Sequence, residues 1–333
     1  MKYEAITSDR IPELKRLWNE EWGELFPMRE SILEQNIGSD PNVEAAGTWI
    51  AVDEATGRAV GYVVSKAWKD ETSGFDFGQD DGYIHTLLVA PAYRSRGIGS
   101  ELLRRLEAAL RGQGVKRVQV GNDFHLRIVP GVPSPSNYTS DWLVKRGYER
   151  QSDVYDLFHD DGDNDDDNSG QQESLPLELH QDEGVIFRLL RQDEEEALMV
   201  FMRRCFPGRW EYQTMDYWKR GGKGREFVVC EKLGEIIGFC RINDWHSPVL
   251  AQNMYWSELF GEQELGGIGP LGIDERFRGY GYGLSIVRAG VHFLQQRGIH
   301  KTVIDTTSYV DFYGKLGYRI WRSYTRYRKQ LDN

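Results

Sequence analysis

Apolar positions along this chain recur in two rhythms, and the same succession of rhythms occurs twice. Residues 3–6 read as a short strand, and Ile11, Leu14, Leu17 and Trp18 then fall on one face of a helix. Residues 48–52 and 59–64 are apolar runs across a turn holding Thr56-Gly57, which predicts a hairpin. Residues 83–89 form a further strand. Beyond it Leu102, Leu103, Leu106, Ala109 and Leu110 make a helical stripe that Gly112 or Gly114 ends. Residues 115–120 predict the next strand, 128–136 an irregular Pro-Gly-Val-Pro loop, and Trp142 and Leu143 a short helix. Gly147-Tyr148 then turns into a last strand ending near Phe158.

The second succession has the same order. Residues 185–189 predict a strand, 194–201 a helix, and 226–230 with 236–240 a hairpin across Lys232-Leu233-Gly234-Glu235. Residues 268–273 enter a turn, Leu284, Val287, Val291 and Leu294 mark a helix, and 301–305 a strand. Residues 310–318 lead to a final strand. Between the copies, residues 160–173 carry Asp, Glu, Asn, Gln, Ser and Gly with no base and no apolar side chain, which predicts a solvated linker. A calcium loop fails by register. Counting from Asp161 or Asp163, the sixth position is Asp166 or Asn168 instead of Gly, and the twelfth is Gln172 or Ser174 instead of Glu. The expected organisation is a domain at 1–158, a linker at 159–176 and a second domain at 177–333. A length of 333 residues allows two domains with a core each.

Composition narrows the partners. Hydrophobic content of 40% and charged content of 28% are those of a globular protein. No apolar run is long enough to span a bilayer, and the first residues do not resemble an export signal, so a cytoplasmic protein away from membranes is expected. A net charge of -11 argues against nucleic acid as a partner. The 3 cysteines, Cys205, Cys230 and Cys240, form no CxxC pair and are expected as packed thiols. The 7 histidines show no HxxxH or HxH spacing, so no metal is expected.

The two copies share one turn. The first runs Val89-Ala90-Pro91-Ala92-Tyr93-Arg94-Ser95-Arg96-Gly97-Ile98-Gly99, and the second Ile273-Asp274-Glu275-Arg276-Phe277-Arg278-Gly279-Tyr280-Gly281-Tyr282-Gly283. Each joins a strand to a helix through Arg-x-x-Gly-x-Gly. Glycines there accept positive φ and let a ligand come close, and the free N–H groups of the following helix suit a phosphate.

With this turn in this order of elements, both halves resemble the GNAT superfamily of acyl-CoA-dependent N-acyltransferases. Val89-x-Pro91-x-x-Arg94-x-x-Gly97-Ile98-Gly99-x-x-Leu102-Leu103 is close to its signature. The second copy departs from it with Glu275 in place of the proline. Phe312-Tyr313-Gly314-Lys315-Leu316-Gly317-Tyr318 is similar to the family's late Phe-Tyr-x-x-x-Gly-Phe pattern. Two copies in one chain resemble the tandem members, which include the mycothiol synthases. The resemblance implies an α/β (α+β) fold: two tandem domains, each a mixed, mostly antiparallel twisted sheet flanked by helices. It also implies acetyl-CoA or another acyl-CoA as cofactor. The pyrophosphate would rest on Arg94, Ser95, Arg96, Gly97, Ile98, Gly99 and Ser100, and on Arg278, Gly279, Tyr280, Gly281, Tyr282, Gly283 and Leu284. The pantetheine arm would pair with Leu87 to Val89 and with Leu271 to Ile273.

The chemistry so implied is attack of an amine on a thioester. It needs a deprotonated amine and an acid for the thiolate. Tyr313 occupies the place of the family's acid, whereas Leu143 stands at the matching position of the first copy. Thr306 replaces an asparagine that the family often has seven residues before the tyrosine. Glu258 is a candidate base, with a solvated carboxylate as the alternative. His85 is expected as a packed histidine. Acetyl transfer to a small-molecule primary amine is therefore expected in the C-terminal domain, by a monomer or homodimer. An acyl-CoA sensor or a protein N-terminal acetyltransferase is the alternative. Trp210, Tyr212, Tyr217, Trp218, Tyr255 and Trp256 either line a pocket for an aminosugar, amino acid or polyamine or form a packed aromatic surface.

Overall fold

The computed structural model describes residues 1–70, 74–77, 80–162, 182–261 and 263–331. The linker beyond Gly162 and the calcium register tested on it lie outside the described residues. In chain order the first half carries β1 (Lys2–Ala5), α1 (Ile11–Trp22), α2 (Glu30–Leu33), β2 (Trp49–Val52), β3 (Ala59–Ala67), β4 (Asp81–Val89), α3 (Ile98–Gly112), β5 (Arg117–Val120), β6 (Val132–Pro133), α4 (Asn137–Val144) and β7 (Glu149–Asp160). The second half carries β8 (Val185–Leu189), α5 (Glu195–Cys205), α6 (Arg209–Lys219), β9 (Phe227–Lys232), β10 (Glu235–Asn243), β11 (Leu265–Ile273), α7 (Tyr282–Gln295), β12 (Lys301–Thr307), α8 (Val310–Gly314) and β13 (Arg319–Gln330).

Two compact units result, Met1–Val154 with Arg322–Asn333, and Tyr155–Trp321. The first sheet runs β1-β2-β3-β4-β5-β13 and the second β7-β12-β11-β10-β9-β8. In each, one pair is parallel, β4 with β5 and β11 with β12, and the rest are antiparallel. The mixed, mostly antiparallel architecture flanked by helices is thus the one expected.

The division at 158 and 177 is not where the compact units divide. The strand closing each sheet comes from the other half of the sequence: Arg328 and Gln330 of β13 pair with Gln119 and Arg117, and His159 of β7 pairs with Thr302. β7 also continues to Asp160, past the expected start of the linker. The apolar pattern of β7 and β13 specifies strands but not partners, and the two occupy equivalent places in the two copies. Deleting the chain from Arg322 onward should therefore damage the first unit rather than the second. Tyr327 and Leu331 belong to the core that also holds Leu102, Leu106, Val118 and Tyr148. Losing two such side chains from a core costs roughly 3–6 kcal/mol. Calorimetric unfolding should show one transition moved to lower temperature; a thermogram like that of the intact chain would contradict the exchange.

Local sequence explains most elements. Pro12 sits in the first turn of α1, where its missing N–H costs nothing, and Ile11, Leu14, Leu17 and Trp18 form the buried face as expected. α3 buries Ile98, Leu102, Leu103, Leu106 and Leu110 against the first sheet. In the second unit Ile286, Val287 and Leu294 of α7 pack with Cys230, Cys240 and Ile268. Both of these cysteines are buried, which pushes each thiol up to about 12. α2, β6 and α6 were not legible in the pattern. α6 is rich in aromatics, and its Tyr217 joins Phe201, Phe227 and Phe239 in a separate core.

Candidate functional site

Both Gly turns adopt the same geometry. A short 3-10 turn, Pro91–Tyr93 or Glu275–Phe277, ends in an extended arginine, Arg94 or Arg278. The arginine Nε donates back to the strand carbonyl five residues earlier, Arg94 to Val89 at 3.0 Å and Arg278 to Ile273 at 3.1 Å. Ser95 and Gly279 follow at φ 59 and 87, then Gly97 and Gly281 at φ 83 as the N-caps of α3 and α7. Neither cap makes a side-chain hydrogen bond, so the first N–H groups of both helices are free for an anion.

The three glycine positions differ in purpose. A Cβ on Gly97 or Gly279 would meet nothing within 4 Å, so there is open space for a phosphate in front of the turn. A Cβ on Gly99 would touch Trp142 at 3.4 Å, and one on Gly283 would touch Phe312 at 3.4 Å. This last glycine lets α4 or α8 approach the turn. Arg94 is paired with Glu21 at 2.6 Å, whereas Arg278 is exposed and makes no ion pair among the described residues. Ser100 accepts a hydrogen bond from Arg146 at 2.6 Å, and the Arg146 guanidinium lies over Trp142.

The strands leading into the turns open a cleft. β4 pairs with β5 only from Asp81 to Ile84, so Leu87 to Val89 offer unpaired backbone on that side. β11 pairs with β12 only from Leu265 to Ile268, which leaves Leu271 to Ile273 equally open. An amide-bearing chain can pair with such an edge. A bulge marks each parting. In β4 the register against β3 jumps from Thr86 to Ile84, leaving His85 as the extra residue. In β11 it jumps from Leu271 to Ile268, with Gly269-Pro270 between.

In the first unit this cleft widens into a cavity of about 770 Å³. One end is the Gly turn with Arg94, Ser95, Gly97, Ile98, Gly99, Ser100 and Arg146. The lining also takes in β4 from Ile84 to Val89, and Trp18, Glu21, Trp22 and Phe26, with Glu21 held against the turn by its pair with Arg94. The Pro-rich loop and α4 contribute Gly131, Pro133, Pro135, Tyr138, Trp142 and Leu143. Sequence reasoning did not single out Glu21, Trp22, Tyr138 or Arg146, because none belongs to a motif. Trp22 and Tyr138 gave no periodic signal that separates a cavity wall from an ordinary surface.

Beside the cavity is a buried polar cluster. The His85 ring hydrogen-bonds through Nδ1 to Asp123, and the Lys66 ammonium lies 2.9 Å from Asp40 and 3.8 Å from Asp123. All four side chains are shielded from solvent. Lys66 also donates to the Leu126 carbonyl at 3.0 Å. Burial pushes the His85 pKa down, and the Lys66 charge adds to this against the opposing pull of Asp123.

In the second unit Tyr313 is buried on α8, packed with Phe312, Tyr318, Tyr282 and Cys240. Its hydroxyl makes no hydrogen bond to a described residue, and burial pushes its pKa up. Tyr282 donates to Asp182 at 2.6 Å, and Tyr280 stacks on it while remaining exposed. Leu284 follows in the first turn of α7, half-buried. Glu258 lies exposed on the 3-10 turn Ser257–Leu259 and pairs with no described residue. Tyr212, Tyr217, Tyr255 and Trp256 are all buried, and Trp210 and Trp218 pack against the α5–α6 core. The aromatic set is chiefly packed interior. Among the described residues no group of His, Cys, Asp and Glu is arranged to hold a metal, and no helix is long and apolar enough to cross a membrane.

Residues 11–126 and 195–318 match the model of the acetyltransferase (GNAT) family. The chain therefore belongs to that family, in tandem form, and is an acyltransferase; the resemblance carried by the two Gly turns is borne out. It is similar to the mycothiol acetyltransferase of Amycolatopsis mediterranei (strain U-32), 24% identical over 261 residues that make up 74% of each chain. The mycothiol acetyltransferase of Thermobispora bispora is 24% identical over 285 residues, 78% of this chain and 81% of that one. Among solved structures, the GCN5-related glucosamine N-acetyltransferase region of a fungal multi-domain GH3 beta-N-acetylglucosaminidase superposes with a TM-score of 0.83 at 24% identity. It covers 98% of this chain, which spans only 38% of the fungal protein's length. The tandem GNAT protein from the clavulanic acid biosynthesis pathway has a TM-score of 0.65 at 13% identity, covering 100% of this chain and 99% of that one.

Proposed function

We propose that the chain transfers an acetyl group from acetyl-CoA to the primary amine of a small molecule, an amino sugar in first place, and that the transfer takes place in the first unit. The observation that carries this is the cavity of about 770 Å³ lined together by the uncapped N-terminus of α3, the unpaired edge of β4, and Trp18, Trp22 and Phe26. It joins an anion-binding turn to an unpaired strand edge, and its aromatic lining offers flat apolar faces on which sugar rings stack. The relatives named mycothiol acetyltransferase support acetyl transfer to an amine. This assigns the chemistry to the half opposite the one expected from Tyr313.

A second reading keeps the transfer in the second unit. Tyr313 favours it, since a buried hydroxyl with no partner among the described residues and a raised pKa stays protonated and can donate to a thiolate. One assay separates the two. The full-length chain is given acetyl-CoA with glucosamine, a polyamine or an amino acid, and released thiol is followed. Turnover with the hexosamine, lost when its amine is already acetylated, is the expected result. No thiol release with any of the three would overturn the proposal. In the same assay Tyr313→Phe should change kcat by less than about threefold, whereas a loss of ~10²-fold would move the chemistry to the second unit.

A further inference from the structure

We propose that His85, oriented by Asp123, is the proton acceptor for the incoming amine in the first unit; this rests on the acetyl-transfer reading of that cavity. The placement comes from the backbone. His85 is the residue that the β4 bulge leaves out of register, at the end of the β4–β5 pairing, where the strands part and the cavity begins. It is one of the residues of the cavity wall.

The ring chemistry agrees with that placement. Asp123 accepts the Nδ1–H and so fixes the tautomer, which leaves the lone pair on Nε2 across the ring. Nε2 is buried and has no hydrogen-bond partner among the described residues. A histidine kept only for packing gains nothing from a buried acceptor left unpaired, since such a group costs stability. The charged groups facing the ring are Asp123, Lys66 and Asp40. The two carboxylates favour the imidazolium that a proton acceptor becomes, against burial and Lys66, which outweigh them in the resting ring. Burial and Lys66 keep the resting ring neutral.

The step balances without a further reagent. The acceptor's ammonium gives one N–H proton to Nε2, and the freed lone pair forms the C–N bond at the thioester carbonyl. Collapse of the tetrahedral adduct breaks the C–S bond. The thiolate takes a second proton from the former amine nitrogen, and the imidazolium releases its own to water. That second transfer needs no tyrosine, which fits the presence of Leu143 at the position Tyr313 holds in the other copy.

The test uses the full chain with acetyl-CoA and glucosamine. His85→Gln should lower kcat ~10²-fold or more while acetyl-CoA affinity by calorimetry changes little. The wild-type rate should fall as pH drops through the His85 pKa, below the ordinary value of 6.5, and His85→Gln should lack this acid limb. Its rate should recover above the pKa of the amine itself, a rescue that a misfolded variant cannot show. Asp123→Asn should lower kcat and displace the acid limb to lower pH. A His85→Gln enzyme with near wild-type kcat, or with the acid limb intact, overturns the assignment and leaves the cavity reading standing. Acetyl-CoA binding that is unaltered in Gly97→Glu would instead strike the cavity reading itself.

Discussion

Gly97→Glu should remove acetyl-CoA binding from the first unit and take turnover with it. The glycine sits at φ 83 as the N-cap of α3, and a Cβ there meets nothing within 4 Å. The new side chain therefore clashes with no protein atom. It costs about 1–2 kcal/mol for a left-handed L-residue. The larger effect is electrostatic. A carboxylate would occupy the space in front of the free N–H groups and meet the pyrophosphate as a like charge. Such juxtaposition costs several kcal/mol, roughly 10³-fold or more in affinity. Gly97→Ala separates the two terms, since it carries no charge and a strain common to free and bound protein, so it should change affinity by less than about 10-fold. Gly281→Glu makes the same change in the second unit, at the same φ of 83. Calorimetry on the three full-length variants gives the stoichiometry. If both turns bind, each Glu variant should lose one site, and only Gly97→Glu should abolish acetylation. Acetylation that survives Gly97→Glu and fails in Gly281→Glu would return the chemistry to the second unit.

The two Gly turns were legible because they combine a local backbone demand with a chemical one. Arg94 and Arg278 recur with Gly97, Gly99, Gly281 and Gly283 at fixed spacing, and spacing is what a sequence displays directly. Their division of labour was not legible: a row of glycines does not say which faces open space and which lies against Trp142 or Phe312. The strands and α1, α3 and α7 followed from periodicity, whereas the closing strand of each unit did not, because β7 and β13 carry equivalent patterns. The His85 cluster was least visible. Asp40, Lys66, His85 and Asp123 lie far apart in the chain and meet only when the segment between α2 and β2, β3, β4 and the loop after β5 are assembled. Lys66 inside the apolar run of β3 was the one anomaly that pointed there. A charge within a strand buried along its whole length needs a partner, and the sequence does not name it.

Lys66→Met is the substitution expected to cost most stability. The Lys66 side chain is wholly buried, 2.9 Å from Asp40 and 3.8 Å from Asp123. Removing the cation leaves two buried carboxylates without a counter-charge, which costs about 3–5 kcal/mol, a large part of what holds a domain folded. Lys66→Met with Asp40→Asn should recover part of that loss, because it removes one of the stranded charges. The pH dependence should change sign. Burial alone would raise the Asp40 pKa, but in the intact protein Lys66 holds it below the ordinary carboxyl value. Its contribution is therefore complete above the unfolded pKa, near 4, and is lost as pH falls through the lower folded value. Without Lys66, burial dominates and the Asp40 pKa rises above its unfolded value. The variant should then gain stability as pH falls toward 5, while the wild type does not. Thermal unfolding of both proteins between pH 5 and 7 checks this, and parallel curves would contradict it. The same substitution frees the His85 ring of the charge that depresses its pKa. Whatever turnover remains in Lys66→Met should therefore lose its rate on the acid side at a higher pH than the wild type does, which links the buried pair to the proton transfer it surrounds.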